Sequence, residues 1–326
     1  MDEPLRRRIR ARVLSGCGGL PSPLLRPALS TLARAARFTH FETRTRRNLE
    51  RALGAETSAA EREEIARGVR RHAARLVFEW TRLARARRSS SARSDMLAHL
   101  DRSLVFDASI ERLERVYAGG RGLIVCTAHI GNWELLAAGL HRRGLEGAVV
   151  GTRKQRDSSA DWLVEMRRAY GVESLPQRSS PRQLLSVLKS GRTLGLLCDL
   201  EVRRIAGEFL PFFGLPALTM TAPAALARAA GLPLVPARCI LRGDQYHVLV
   251  DEPLTIDQSL GRREATSDLM RRMNALIEGW IRTDPEQWAW HQPRWRTRPG
   301  EWERAAHPLA ARTGAENEPE LTGEAT

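Results

Sequence analysis

Leu123-Ile124-Val125-Cys126-Thr127-Ala128-His129-Ile130-Gly131-Asn132-Trp133-Glu134 passes from an apolar run through a glycine turn to the start of a helical pattern within twelve residues. Its apolar opening, Leu123 to Cys126, is too short for a helix and reads as a buried strand. Gly131 then lets the backbone bend, and helical periodicity takes over from Trp133 to His141. The alternation continues on both sides. A helix over 110–117 precedes the strand, and a strand over 148–152, helices over 159–170 and 181–189, and a strand over 193–198 follow it. A helix over 222–230 and strands over 234–241 and 246–250 come next. Strands alternating with helices predict an α/β layered domain over residues 101–304, with a mixed central sheet flanked by helices.

Residues 1–100 read as an N-terminal helical region without strands. Ser58 and Glu61 have capping-box spacing, and Ile65, Val69, Leu76, Trp80 and Leu83 then recur on one helical face. The first 50 residues carry eleven Arg against four acids, a net of 11 − 4 = +7, with Leu20, Leu24, Leu25, Leu29, Leu32 and Phe38 interleaved. Such a basic amphipathic segment either packs on the core as a solvated face or lies on an anionic lipid surface. Residues 305–326 hold Arg312 against Glu316, Glu318, Glu320 and Glu324, have almost no large apolar groups, and read as a disordered tail.

The formal charge of +14 comes almost entirely from Arg and points to a phosphate-bearing partner. Nucleic acid is not expected, because the chain has no zinc-finger spacing, no RNA-binding block and few aromatics within its basic runs. The four cysteines, Cys17, Cys126, Cys198 and Cys239, stand apart without metal-site spacing and read as buried thiols, so no metal is expected. No apolar run reaches the roughly 18 residues needed to span a bilayer, and no signal-peptide pattern opens the chain.

A histidine five residues before a carboxylate occurs three times, as His129/Glu134, His141/Glu146 and His247/Glu252. On a regular helix residues five apart diverge by about 140°, and on a strand they take opposite faces. Only His129 lies in a strand-to-helix turn, where it can meet a Glu in the first helical turn. The pair His129 and Glu134 is therefore the expected catalytic pair: a neutral imidazole takes a proton from an attacking hydroxyl or amine while a carboxylate fixes its tautomer. Arg153 and Lys154 follow a strand end, where α/β sites open, and either bind phosphate or lie in a solvated turn. Asp199 and Glu201 also end a strand, as site polar groups or plain surface.

The block Thr127 to Glu134 resembles the signature of the lipid A late acyltransferases, the lauroyl and myristoyl transferase family that also includes the phosphatidylinositol mannoside enzymes. Further blocks follow in the family's order. They are Arg47-Asn48-Leu49, Gly151-Thr152-Arg153-Lys154, Met166-Arg167-Arg168-Ala169-Tyr170-Gly171, Leu210-Pro211-Phe212-Phe213-Gly214 and Thr219-Met220-Thr221-Ala222-Pro223. Pro285 to Trp295, with Trp288, Trp290 and Arg294, is the last. The resemblance spans about residues 40–300 and implies an acyltransferase fold acting on a membrane lipid acceptor. The co-substrate it implies is an acyl thioester, carried by acyl carrier protein or coenzyme A, with no further cofactor. Asn132, Arg153, Lys154, Arg167, Asp199 and Glu201 become candidate substrate-binding residues. The implied location is the cytoplasmic face of a bacterial inner membrane, peripheral or monotopic. Where the family often has Asp-Gln, this chain has Asp199-Leu200-Glu201, and it lacks the Pro-Glu-Gly-Thr block of the glycerol-phosphate branch. Two aromatic groups have two readings each. Phe209, Phe212 and Phe213 line an acyl channel or pack in the core, and Trp288, Trp290 and Trp295 sit at a membrane interface or close the fold.

Overall fold

The computed structural model describes residues 22–35, 39–86, 89–151, 158–202 and 205–300. Four helices come first: α1 (Ser22–Ala35), α2 (His40–Leu53), α3 (Ala59–Arg85) and α4 (Ser90–Ser103). The predicted capping box opens α3, with Ser58 Oγ accepting from the Glu61 N–H at 3.2 Å and Glu61 accepting from the Ser58 N–H at 2.7 Å. On α1, Leu25 and Leu29 pack against Phe78 of α3 while Leu24 is exposed. The rest of the basic segment, residues 1–21 and 36–38, lies outside the described residues, as does the tail 305–326.

The α/β region then runs β1 (Leu104–Phe106), α5 (Glu111–Ala118), β2 (Leu123–Thr127), α6 (Trp133–Arg142), β3 (Gly147–Gly151), α7 (Ser158–Ala169), β4 (Glu173–Pro176), α8 (Pro181–Lys189) and β5 (Thr193–Leu197). It continues with β6 (Gly207–Phe212), β7 (Leu215–Met220), α9 (Ala222–Ala230), β8 (Leu234–Arg242), β9 (Gln245–Val250) and α10 (Arg262–Thr283). Seven strands form one sheet in the order β1-β9-β8-β2-β5-β3-β4, parallel throughout except for the antiparallel β8/β9 pair. The expected mixed sheet flanked by helices is the fold. Alternate residues of β2 feed opposite faces, Ile124 and Cys126 joining one core and Leu123 and Val125 the other. Burial on both faces explains why this strand is an unbroken apolar run.

Trp288 and Trp290 are buried against Phe212 and Phe213 of the β6/β7 hairpin, so these aromatics close the fold. Arg294, fully buried, donates from Nη1 to the Leu218 carbonyl and from Nη2 to Thr219 Oγ1, both at 2.9 Å, and burial pulls its pKa down to about 10. Cys126, Cys198 and Cys239 are free and buried; Cys17 lies outside the described residues.

Candidate active site

The strand β2 sits at the centre of the sheet, and the chain leaves its C-terminal end through the turn that carries His129. Gly131 makes that turn possible. Its φ is +57°, and a Cβ there would lie 1.9 Å from the Cys239 carbonyl oxygen. That oxygen accepts from the Asn132 N–H at 2.8 Å, while the Gln287 carbonyl accepts from the Gly131 N–H at 3.0 Å. The Ala289 N–H closes the contact by donating to the His129 carbonyl at 3.0 Å.

Parallel register supplies the partner of His129. Strands β2 and β5 pair Thr127 with Leu197, so two residues further along each chain His129 stands beside Asp199. Asp199 Oδ1 accepts from His129 Nδ1 at 2.8 Å, and its Oδ2 accepts from the His129 N–H at 2.9 Å and from Trp288 Nε1 at 2.8 Å. The carboxyl is fully buried, which pushes its pKa up, but the adjacent imidazole and these three donors outweigh burial and hold it below the usual range. An ionised carboxylate only accepts, so His129 Nδ1 carries a proton, and in the neutral ring Nε2 presents its lone pair. Among the described residues Nε2 has no hydrogen-bond partner, and the side chain is 20% exposed.

Glu134 does not meet His129, which corrects the expected pairing. The helix begins at Trp133, whose ring stands edge-on to the His129 ring with centroids 4.9 Å apart. The next residue on a helix is rotated by about 100°, which turns Glu134 toward α7. There its carboxylate accepts from Arg167 Nε at 2.9 Å, Arg167 Nη2 at 2.5 Å and the Tyr170 hydroxyl at 2.6 Å. Arg167 pays a desolvation cost that lowers its pKa, but Glu134 more than restores it, and burial beside Glu134 drives the Tyr170 phenol well up.

The other expected site residues divide. Asn132 is fully buried; its Oδ1 caps α6 by accepting from the Leu135 N–H and also accepts from Trp80 Nε1, both at 3.2 Å. Glu201 turns away from His129 and accepts from the Arg296 and Thr297 N–H groups, each at 2.9 Å, fastening the C-terminal segment. Arg153 and Lys154 lie outside the described residues. Tyr170 and Trp288 were not expected at the site. Both occur in the quoted family blocks, but neither type announces a hydrogen bond to a carboxylate.

Beneath α6 a narrow cleft of about 60 Å³ runs between that helix and strands β2, β3 and β5. Thr127, Leu197 and Trp133 line its end nearest His129, and Leu145, Gly147 and Thr193 line the far end. Arg167 and Glu134 touch one wall; the rest is almost wholly aliphatic. An open imidazole lone pair beside a long apolar cleft can activate a hydroxyl next to an acyl chain.

The chain is 30% identical over 191 residues to a phosphatidylinositol mannoside acyltransferase of Mycolicibacterium smegmatis, covering 57% of this chain and 60% of that protein. It is 28% identical over 194 residues to the lipid A biosynthesis lauroyltransferase of Escherichia coli, covering 58% and 61%. A lipid A biosynthesis acyltransferase of Haemophilus influenzae is 26% identical over 208 residues, covering 61% of each. The matched region spans about three fifths of the length of these relatives. A family description covers far more of the chain, matching residues 9–297, and the chain belongs to the bacterial lipid A biosynthesis acyltransferase family.

Proposed function

We propose that this protein moves a fatty acyl chain from an acyl thioester, on acyl carrier protein or coenzyme A, to a hydroxyl of a lipid A-type glycolipid. The observation that carries the reading is His129, locked through Nδ1 onto buried Asp199 with Nε2 open beside the apolar cleft. Nε2 takes the acceptor's hydroxyl proton as its oxygen attacks the thioester carbonyl. The new C–O bond forms, the C–S bond breaks, and the departing thiolate recovers the proton from the imidazolium. Asp199 keeps the tautomer and stabilises the imidazolium between these steps.

His129→Ala is expected to abolish transfer of a dodecanoyl group from its thioester to a lipid A precursor while leaving thermal unfolding unchanged. Turnover near that of the native protein would overturn the reading. The M. smegmatis relative supports a second acceptor class, another phosphoglycolipid, and mass spectrometry of lipids from a deletion strain separates the two. Arg153 and Lys154 remain our assignment for the acceptor phosphate. Because acyl thioesters of this kind are cytoplasmic, the proposed location is the cytoplasmic face of the inner membrane. No helix among the described residues is long and apolar enough to cross a membrane, so contact with the anionic surface is assigned to the basic N-terminal segment.

The cleft supports a reading of acyl length. The five residues of β5 span about 13 Å, the reach of an extended alkyl chain of roughly ten carbons. Gly195, at the middle of β5, lines the cleft, and a Cβ there would come 3.0 Å from Val149 Cγ1. Gly195→Val is expected to block the inner half, shifting kcat/KM from dodecanoyl toward hexanoyl donors by about tenfold or more, since each methylene left unburied forfeits roughly 0.8 kcal/mol. An unchanged chain-length profile would place the acyl chain elsewhere.

A further inference from the structure

We infer that helix α3 of the N-terminal region is half of the catalytic site's support, with His72 and Trp80 as positioning residues for the turn that carries His129. The inference rests on His129 being the base.

His72 is buried, and its Nε2 lies 3.0 Å from the Gly131 carbonyl oxygen. A carbonyl only accepts, so Nε2 carries the hydrogen and donates it. Burial pulls the His72 pKa down to about 4, with Arg75 lowering it and Asp284 opposing, so the ring is neutral near pH 7 and the donor is fixed. Two turns later on the same side of α3, Trp80 donates from Nε1 to Asn132 Oδ1 at 3.2 Å. Its ring also stands edge-on to Trp133, with centroids 5.3 Å apart, and Trp133 in turn stands edge-on to His129. Gly131, Asn132 and Trp133 are therefore three consecutive residues each held by one side of α3. The C-terminal segment and β8 hold the same turn from elsewhere through Gln287 and Cys239.

The turn bridges two bodies. If the α3 side is released, Gly131 keeps its bond to Gln287 and Asn132 keeps its bond to Cys239, but the Gly131 carbonyl loses its His72 donor, and the plane of the next peptide is free to tilt. His129 Nε2 must meet an acceptor oxygen at hydrogen-bond distance, and a displacement of about 1 Å can cost on the order of a hundredfold in rate. Because neither His72 nor Trp80 touches the cleft, substrate affinity should not follow the same loss.

The experiment measures kcat and KM for dodecanoyl-coenzyme A with a lipid A precursor in detergent, on the full chain. His72→Leu is expected to lower kcat by about ten- to a hundredfold with KM within about twofold. His72→Gln, whose amide N–H can reach the same carbonyl, should recover most of that loss. Trp80→Phe keeps an aromatic ring and removes the donor, and should lower kcat several-fold. Phe78→Leu, on the side of α3 that faces α1, is the control: it should lower the unfolding temperature without lowering kcat. Native kcat in folded His72→Leu and Trp80→Phe would overturn the inference; if His72→Leu does not fold, Trp80→Phe decides alone. A loss of kcat in Phe78→Leu equal to theirs would also overturn it, because general destabilisation would then explain all three. An active His129→Ala would instead remove the reading beneath it, whereas an inactive His129→Ala with native Trp80→Phe would remove this inference only.

Discussion

Asp199→Asn is expected to lower kcat by about 10³- to 10⁴-fold, a loss of the size seen when a catalytic histidine is forced into the wrong tautomer. The geometry explains why so small a change costs so much. Asp199 Oδ2 receives two N–H donors, from the His129 backbone and from Trp288, and Oδ1 receives one, from His129 Nδ1. An asparagine has one acceptor oxygen, which must face the two donors. Its NH₂ then faces His129 Nδ1, which can accept only if the imidazole proton moves to Nε2. The nitrogen that should take the acceptor's proton already carries one. Steady-state kinetics on Asp199→Asn and Glu134→Gln, each checked for native circular dichroism, decide the partner. If Glu134→Gln loses more turnover than Asp199→Asn, the carboxylate working on His129 is Glu134 and the Asp199 assignment is wrong.

How much of this was legible in the sequence depends on whether the cause was local. The turn at His129 was readable because strand, glycine and helix start all lie within twelve consecutive residues. The partner was not, because Asp199 lies 70 residues away and arrives through the register of β2 against β5, which no spacing along the chain encodes. Glu134 had the right type and distance in sequence, but the helix begins one residue before it and turns it aside. Asp199 was singled out as a polar residue at a strand end and as a candidate substrate-binding residue, whereas the geometry makes it the buried partner of His129.

Elements were missed for similar reasons. Strand β1 has three residues and β4 four, too few to show a period. The β6/β7 hairpin turns through Phe213 and Gly214, both at positive φ, and an aromatic in that conformation is not a turn signal. Helix α10 could have been read: Leu269, Met270, Met273, Ile277, Trp280 and Ile281 are all buried and recur with helical period, although Arg271, Arg272 and Glu278 between them mask it.

Arg167→Met is expected to destabilise the fold by about 3–5 kcal/mol, because it leaves the Glu134 carboxylate buried without its cation. The side chains of the pair are 9% and 1% exposed, so solvent can neither screen the loss nor rehydrate the anion. Tyr170 remains as one donor, and a single neutral hydroxyl does not replace a two-pronged guanidinium. For a chain of this size the loss corresponds to a fall in unfolding temperature of roughly 5–10 °C. Glu134→Gln combined with Arg167→Met should cost less than the sum of the two single changes, since no charge is then left without a partner. Denaturant unfolding of the two single variants and the double variant measures that coupling. The competing reading is that Arg167 contacts substrate through the cleft wall it shares with Glu134. In that case Arg167→Met would raise KM while unfolding at the native temperature, and the ion pair between α6 and α7 would not be what holds the roof of the cleft.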